Sequence, residues 1–260
     1  MNLDKNQKVW DSPGVVDLYR KRISEGIQKP EAAILKTLGD ISETSVLDIG
    51  VGTGRTTSFL WNNVRYYQGI DYSAKMIEEC KKIFNGKNLN LNQGDVRNLA
   101  AFNDASFDIC FFSFNGIDYI NDFNERTDAM LEISRVLKPG GYFIFSTHII
   151  YNLPVRFKFY HPDENISNTI KCLIRTVIFR SRCLFPKNYE KKNYTLVNDG
   201  ALRFRLNTFY IKPGFQIGQL FLLGFDQVRV FDLDGRQVNA DFERTADSYY
   251  LYYSCKKKIK

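Results

Sequence analysis

Val46-Leu47-Asp48-Ile49-Gly50-Val51-Gly52-Thr53-Gly54 reads as a short buried strand that breaks into a glycine-rich turn. Val46, Leu47 and Ile49 supply the apolar strand, and glycine at 50, 52 and 54 lets the backbone turn sharply and approach a ligand where a Cβ would collide. Thr56-Thr57-Ser58-Phe59-Leu60-Trp61 can then start a helix, whose free N–H groups favour negative charge. A strand, turn and helix of this kind hold an adenine-containing cofactor, and the polar residues around the turn decide which one.

The dinucleotide fingerprint is G-x-G-x-x-G/A. Here the spacing is G-x-G-x-G, and Arg55 occupies the last fingerprint slot. Asp48 also places a carboxylate inside the strand, just before the turn. That charge would repel a pyrophosphate but suits a cation, or an amine held directly or through water. S-adenosylmethionine carries a sulfonium and an ammonium and no phosphate, so the loop favours it over NAD.

VLDIGVGTG resembles motif I of the class I S-adenosylmethionine-dependent methyltransferases, and further landmarks follow in that family's order. Gly69-Ile70-Asp71-Tyr72-Ser73 resembles the end of strand 2, and Gln93-Gly94-Asp95-Val96 the turn after strand 3. Phe107 to Phe114 resembles strand 4, and Leu137-Lys138-Pro139-Gly140-Gly141 the turn into strand 5. The likeness is dense over residues 44–147 and resumes over 213–255, where Gly224-Phe225 and Val228-Arg229-Val230 resemble strand 6. The resemblance implies an α/β fold: a doubly wound, mainly parallel seven-stranded sheet. It implies that Asp48, Gly50, Gly52, Thr53, Gly54, Asp71, Asp95 and Ser113 serve the cofactor, with Asp71 on the ribose hydroxyls and Asp95 on the adenine amine. Tyr72, Met76 and Val96 are expected to flank the adenosine, and Tyr19 to close over the methionyl end.

The rest of the chain departs from a minimal domain. Residues 8–39 look helical, with Pro30 expected as a break between two helices, and residues 1–43 are read as a helical lid. Residues 44–148 and 213–260 are read as the cofactor-binding core of one domain. Residues 149–212 are read as a β-rich substrate cap inserted between strands 5 and 6. It comprises a basic helix over 168–185, then strands at 194–197 and 202–210 around an Asn198-Asp199-Gly200 hairpin turn. The lysine-rich end, Lys256 to Lys260, is expected to be a solvated terminus.

Composition sets the bounds. The chain has 260 residues, 44% hydrophobic and 25% charged, which suits one globular domain with an appendage. Five cysteines without a C-x-x-C pair argue against a disulfide framework and for a reducing, cytoplasmic setting. No apolar run suggests a leader or a membrane span. A net charge of +7 is compatible with anionic substrates but equally with a generally basic surface.

Methyl transfer is an in-line displacement, so alignment dominates, and a positioned base adds about 10²–10⁴ in rate. His148, just past strand 5, is a candidate base, and Asp118, in the segment after strand 4, a candidate proton acceptor or ammonium partner. Both could equally be structural. No His/Cys/Asp cluster has metal-ligand spacing, so no metal is expected. The expected reaction is metal-independent transfer from S-adenosylmethionine, leaving S-adenosylhomocysteine, to a nitrogen or oxygen of a small polar metabolite. An amino sugar or sugar nucleotide is the leading example. Two alternatives stand beside it: an RNA or other nucleic-acid methyltransferase, and a protein that binds the cofactor without catalysis. The oligomeric state is open.

Overall fold

Apolar alternation builds the sheet. In β1 (Ser45–Ile49), Leu47 and Ile49 point into one cluster of buried side chains and Val46 into a second on the opposite face. The computed structural model describes residues 5–153, 177, 181, 188–239 and 248–259. The expected helix over 168–185 lies almost wholly outside them.

Around β1 lie β2 (Tyr66–Asp71), β3 (Asn90–Gln93), β4 (Phe107–Phe112), β5 (Leu137–Ile149), β6 (Tyr194–Val197), β7 (Thr208–Ile211), β8 (Phe225–Phe231), β9 (Gln237–Val238) and β10 (Tyr250–Lys257). They form one sheet ordered β3-β2-β1-β4-β5-β10-β8-β9, with β7 also on β5 and β6 on β7. The pairs β1–β2, β2–β3, β1–β4 and β4–β5 are parallel, whereas β10 runs antiparallel to both β5 and β8. Helices cover both faces. On one side Ile34 and Leu35 of α3 (Lys29–Leu38), Leu60 of α4 (Thr57–Asn63) and Ile77 and Cys80 of α5 (Ala74–Ile83) pack against the sheet. On the other, Ile133 and Val136 come from α6 (Phe123–Val136) and Leu220 from α7 (Pro213–Leu222). From β1 the chain winds outward to β3, then returns to place β4 on the other side of β1. The crevice at these carboxyl ends is where such sheets bind ligands.

Among the described residues the sheet has ten strands, not seven, because the inserted β6 and β7 and the short β9 join it. His148 and Ile149 at the end of β5 pair in parallel with Tyr210 and Ile211, while His148 also pairs with Tyr250 on the other side. β7 therefore takes the place that β4 vacates after Phe112. The hairpin turn is longer than three residues: Val197 pairs with Thr208, and residues 198–207 form the loop. Leu202, Arg203 and Phe204 all have left-handed φ, of 46°, 62° and 65°, so this stretch cannot extend the strand.

The N-terminal region holds α1 (Lys5–Trp10), α2 (Pro13–Arg20) and α3. Pro30 does not break a helix. It lies in the first turn of α3, where its missing N–H costs nothing, after a Gln28/Glu31 capping box. The lysines at the other end are not all solvated. Lys257 Nζ donates to Leu137 O at 2.7 Å, and Lys256 lies over the Tyr142 ring. No described helix is long and apolar enough to cross a membrane.

Candidate active site

At the carboxyl ends of β1 to β4 lies a cavity of about 640 Å³. Gly50 and Gly52 line it from the turn after β1, Asp71, Tyr72 and Met76 from the end of β2 and the start of α5, and Asp95, Val96 and Arg97 from the turn after β3. Phe112, Ser113 and Phe114 close the β4 side, and Trp10 and Tyr19 come from α1 and α2. Asn198, Phe204, Arg205 and Asn207 of the β6–β7 loop form a further wall.

Gly50 and Gly52 make a cradle that side chains would fill. Both have left-handed φ, and an added Cβ would lie 3.1 Å from the Phe112 ring at position 50 and 3.5 Å from the Tyr19 ring at position 52. Asp71 braces this turn: its carboxylate accepts from Gly52 N at 2.7 Å and Ser73 N at 2.8 Å. Burial nevertheless pushes its pKa up to about 6, the two N–H donors only partly opposing it. Burial likewise raises the Tyr19 phenol to about 12, so it stays protonated beside the cavity. Asp95 is held by Arg97 through Nη2–Oδ2 at 2.6 Å, and the Arg97 guanidinium sits over the Tyr72 ring.

Nine of the expected cofactor residues share this cavity: Tyr19, Gly50, Gly52, Asp71, Tyr72, Met76, Asp95, Val96 and Ser113. Asp48 and Thr53 line a smaller adjoining recess, with Arg22 and Arg55. Asp48 is 1% exposed and accepts from Thr56 Oγ1 at 2.7 Å and Tyr67 OH at 2.8 Å; burial raises its pKa to about 7. Its visible work is to tie the turn to β2 and α4. Gly54 faces neither space. At φ 108° it packs on α5, where a Cβ would meet the Phe84 ring and lie 2.9 Å from Cys80 Sγ.

His148 and Asp118 are brought together, away from the described lining of the cavity. Asp118 is fully buried and accepts from Thr147 Oγ1 at 2.5 Å, from His148 N at 2.7 Å and from the His148 ring at Nδ1, also 2.7 Å. Arg126, equally buried, lies 3.6 Å from its Oδ1. A carboxylate so enclosed cannot touch an acceptor and can influence it only through His148. The His148 ring neighbours Tyr250, and Tyr250 neighbours Phe114 of the cavity.

Sequence reading missed the buried network under the turn. Arg55 reaches back to Glu31 of α3 and to Gly26 O, and Ser113 Oγ and Tyr252 OH both donate to Glu31 Oε1. The capping-box spacing from Gln28 to Glu31 was the only local hint. The residues fit S-adenosylmethionine: the cradle admits a ligand close to backbone, Asp71 can accept from a diol, and Met76 and Val96 offer apolar flanks. They do not fit a pyrophosphate, because the Arg55 guanidinium is turned away into Glu31 and Asp48 lies beneath the turn.

Comparison with known proteins agrees. Residues 47–145 match the family described as methyltransferase domain. That match supports a methyltransferase domain over these residues, with S-adenosylmethionine as its cofactor. Among curated relatives, the chain is 30% identical over 139 residues to a ubiquinone/menaquinone biosynthesis C-methyltransferase of Desulfotalea psychrophila, covering 52% of this chain and 54% of that one. It is 34% identical over 110 residues to a fatty-acid O-methyltransferase of Mycolicibacterium smegmatis, covering 41% and 38%. The chain thus spans about half or less of the length of these relatives. Among solved structures, a S-adenosylmethionine-dependent methyltransferase from Clostridium acetobutylicum superposes with a TM-score of 0.64 at 18% identity, over 95% of this chain and 98% of that one. The CcbJ methyltransferase of Streptomyces caelestis gives 0.62 at 15%, over 99% and 100%. These likenesses concern the fold.

Proposed function

We propose that this protein transfers the methyl group of S-adenosylmethionine to a hydroxyl oxygen or an amine of a small polar metabolite, with sugars and sugar nucleotides the favoured class. One observation carries the reading: the space at the Gly50–Gly52 cradle and Asp71 is continuous with a wall of two amides, a guanidinium and the Phe204 ring from the β6–β7 loop. That continuity would seat two ligands side by side. When bound, the cofactor supplies a methyl group on a sulfonium. The chain's own residues hold and orient: Asp71 accepts from the ribose, Tyr19 and Phe114 shield the reacting end from water, and the β6–β7 loop positions the acceptor. With Nδ1 donating to Asp118, His148 leaves Nε2 as the proton-accepting nitrogen, while Asp118 orients the ring. Because Asp118 is enclosed, it is a poor partner for an ammonium, and His148 would take a hydroxyl's proton only from an acceptor that reaches past Phe114 and Tyr250.

Calorimetric titration with S-adenosylmethionine, S-adenosylhomocysteine and NAD tests the reading. Micromolar binding of the sulfur compounds, lost in Asp71→Ala and absent for NAD, supports it; failure of both to bind sinks it. Once an acceptor is found, His148→Asn should lower kcat about 10²–10⁴-fold with KM little changed. An unchanged kcat would leave His148 a structural residue.

A further inference from the structure

We propose that Arg205 binds an anionic substituent of the methyl acceptor, a carboxylate or a phosphate ester, so that the acceptor is an acid. The inference rests on the methyltransferase reading and deepens it.

The charges that face the cavity carry the argument. Its described lining holds Asp71, Asp95, Arg97, Asp122, Glu125 and Arg205. Asp71 is held by two backbone N–H groups. Arg97 bridges Asp95 and Glu125, with Nη1 2.5 Å from Glu125 Oε2. Asp122 caps α6, accepting from Asn124 N and Glu125 N. Each acid of this set is thus met by an arginine or by backbone N–H groups, and Arg97 by two carboxylates, whereas Arg205 meets no opposite charge among the described residues. Its Nε donates to Leu202 O at 3.1 Å and its Nη1 to Ser12 Oγ at 3.3 Å, both neutral acceptors. A guanidinium carries five N–H donors, so several are left for a carboxylate or phosphate, which it grips in a bidentate fork.

The loop that presents Arg205 is built at a cost. Three successive non-glycine residues, Leu202, Arg203 and Phe204, sit in the left-handed region, which side chains with a Cβ disfavour. Asn198 Nδ2 holds the turn by donating to Phe204 O at 2.9 Å. Asp199 anchors its base, accepting from Thr208 Oγ1 at 2.9 Å and Tyr210 OH at 2.7 Å. Such strain persists where the surroundings over-determine it and clusters at ligand sites. Its result here is to turn Phe204 and Arg205 onto the cavity, beside the amides of Asn198 and Asn207. An acid with a flat or hydroxylated body matches that wall.

The test is calorimetry on the full chain. S-adenosylhomocysteine binding is measured first, on the wild type, Arg205→Ala and Arg205→Lys. On cofactor-saturated protein two matched pairs follow: 4-hydroxybenzoate against 4-hydroxybenzamide, and phenyl phosphate against phenol. We expect at least one acid to bind about tenfold or more tightly than its neutral partner. That preference should vanish in Arg205→Ala and survive in part in Arg205→Lys, with S-adenosylhomocysteine affinity unchanged in both. The pair that responds tells carboxylate from phosphate. If S-adenosylhomocysteine binds but neither acid does at millimolar concentration, or an acid binds Arg205→Ala as well as wild type, the assignment of Arg205 fails alone. Loss of S-adenosylhomocysteine binding in the wild type would instead overturn the methyltransferase reading and this inference with it.

Discussion

Arg55 and Glu31 form a two-point ion pair beneath the glycine-rich turn, Nη1–Oε2 at 2.7 Å and Nη2–Oε1 at 2.6 Å, with the Glu31 side chain fully buried. The pair ties α3 to the cofactor turn, and Ser113 and Tyr252 share the same carboxylate. Removing one partner strands a buried charge, which costs about 3–5 kcal/mol. Glu31→Ala is therefore expected to lower the unfolding free energy in urea titration by that amount and to weaken S-adenosylhomocysteine binding. Glu31→Leu combined with Arg55→Met should recover most of the stability. A double variant as unstable as the single one would show that the pair is not the cause.

The proposed contact of Asp71 with the cofactor ribose makes affinity depend on pH. Its pKa, raised to about 6 by burial, means the carboxylate loses its charge as pH falls through 6. The ionised form has more capacity to accept from ribose hydroxyls. S-adenosylhomocysteine affinity should accordingly weaken below pH 6 in the wild type. Asp71→Asn should bind weakly at every pH, with the dependence flattened; a wild-type affinity constant from pH 5 to 8 would contradict this.

Asp48 acts on stability with a defined sign. Its folded pKa of about 7 lies above the ordinary value of 3.8, so the folded protein holds a proton that the unfolded chain has released. The resulting stability is fully present below pH 3.8 and is lost as pH rises through 7. Relative to Asp48→Asn, wild type should lose unfolding free energy between pH 4 and 8, measured by urea titration at each pH. Parallel pH profiles for the two proteins would refute the assignment.

Gly54 tests packing apart from ligand contact. Gly54→Ala places a methyl against Phe84 and Cys80 at φ 108°, and overpacking of this sort costs roughly 1–3 kcal/mol. The variant should melt lower, and Phe84→Ala in the same chain should restore part of the loss. Gly52→Ala, whose Cβ would meet only the Tyr19 ring at 3.5 Å, should instead reduce cofactor affinity with less effect on melting.

Sequence alone determined the local elements and the chemistry attached to them. The strand Val46–Ile49 and the turn at Gly50 to Gly54 follow from residues within a few positions of one another. Asp71 and Asp95 are expected at the cofactor because their motifs resemble the family's ends of strands 2 and 3, and both line the cavity. Tertiary structure decided what depends on distant partners. Glu31 meets Arg55 across 24 positions, and Asp118 is closed off by His148 and Arg126, neither of which adjoins it in the chain. The β6–β7 hairpin joins the main sheet because β4 stops at Phe112 while β5 continues to Ile149, leaving unpaired backbone groups that Tyr210 and Ile211 satisfy. Periodicity within a segment does not register where a neighbouring strand ends. That shortfall of β4 carries Arg205 to the cavity wall.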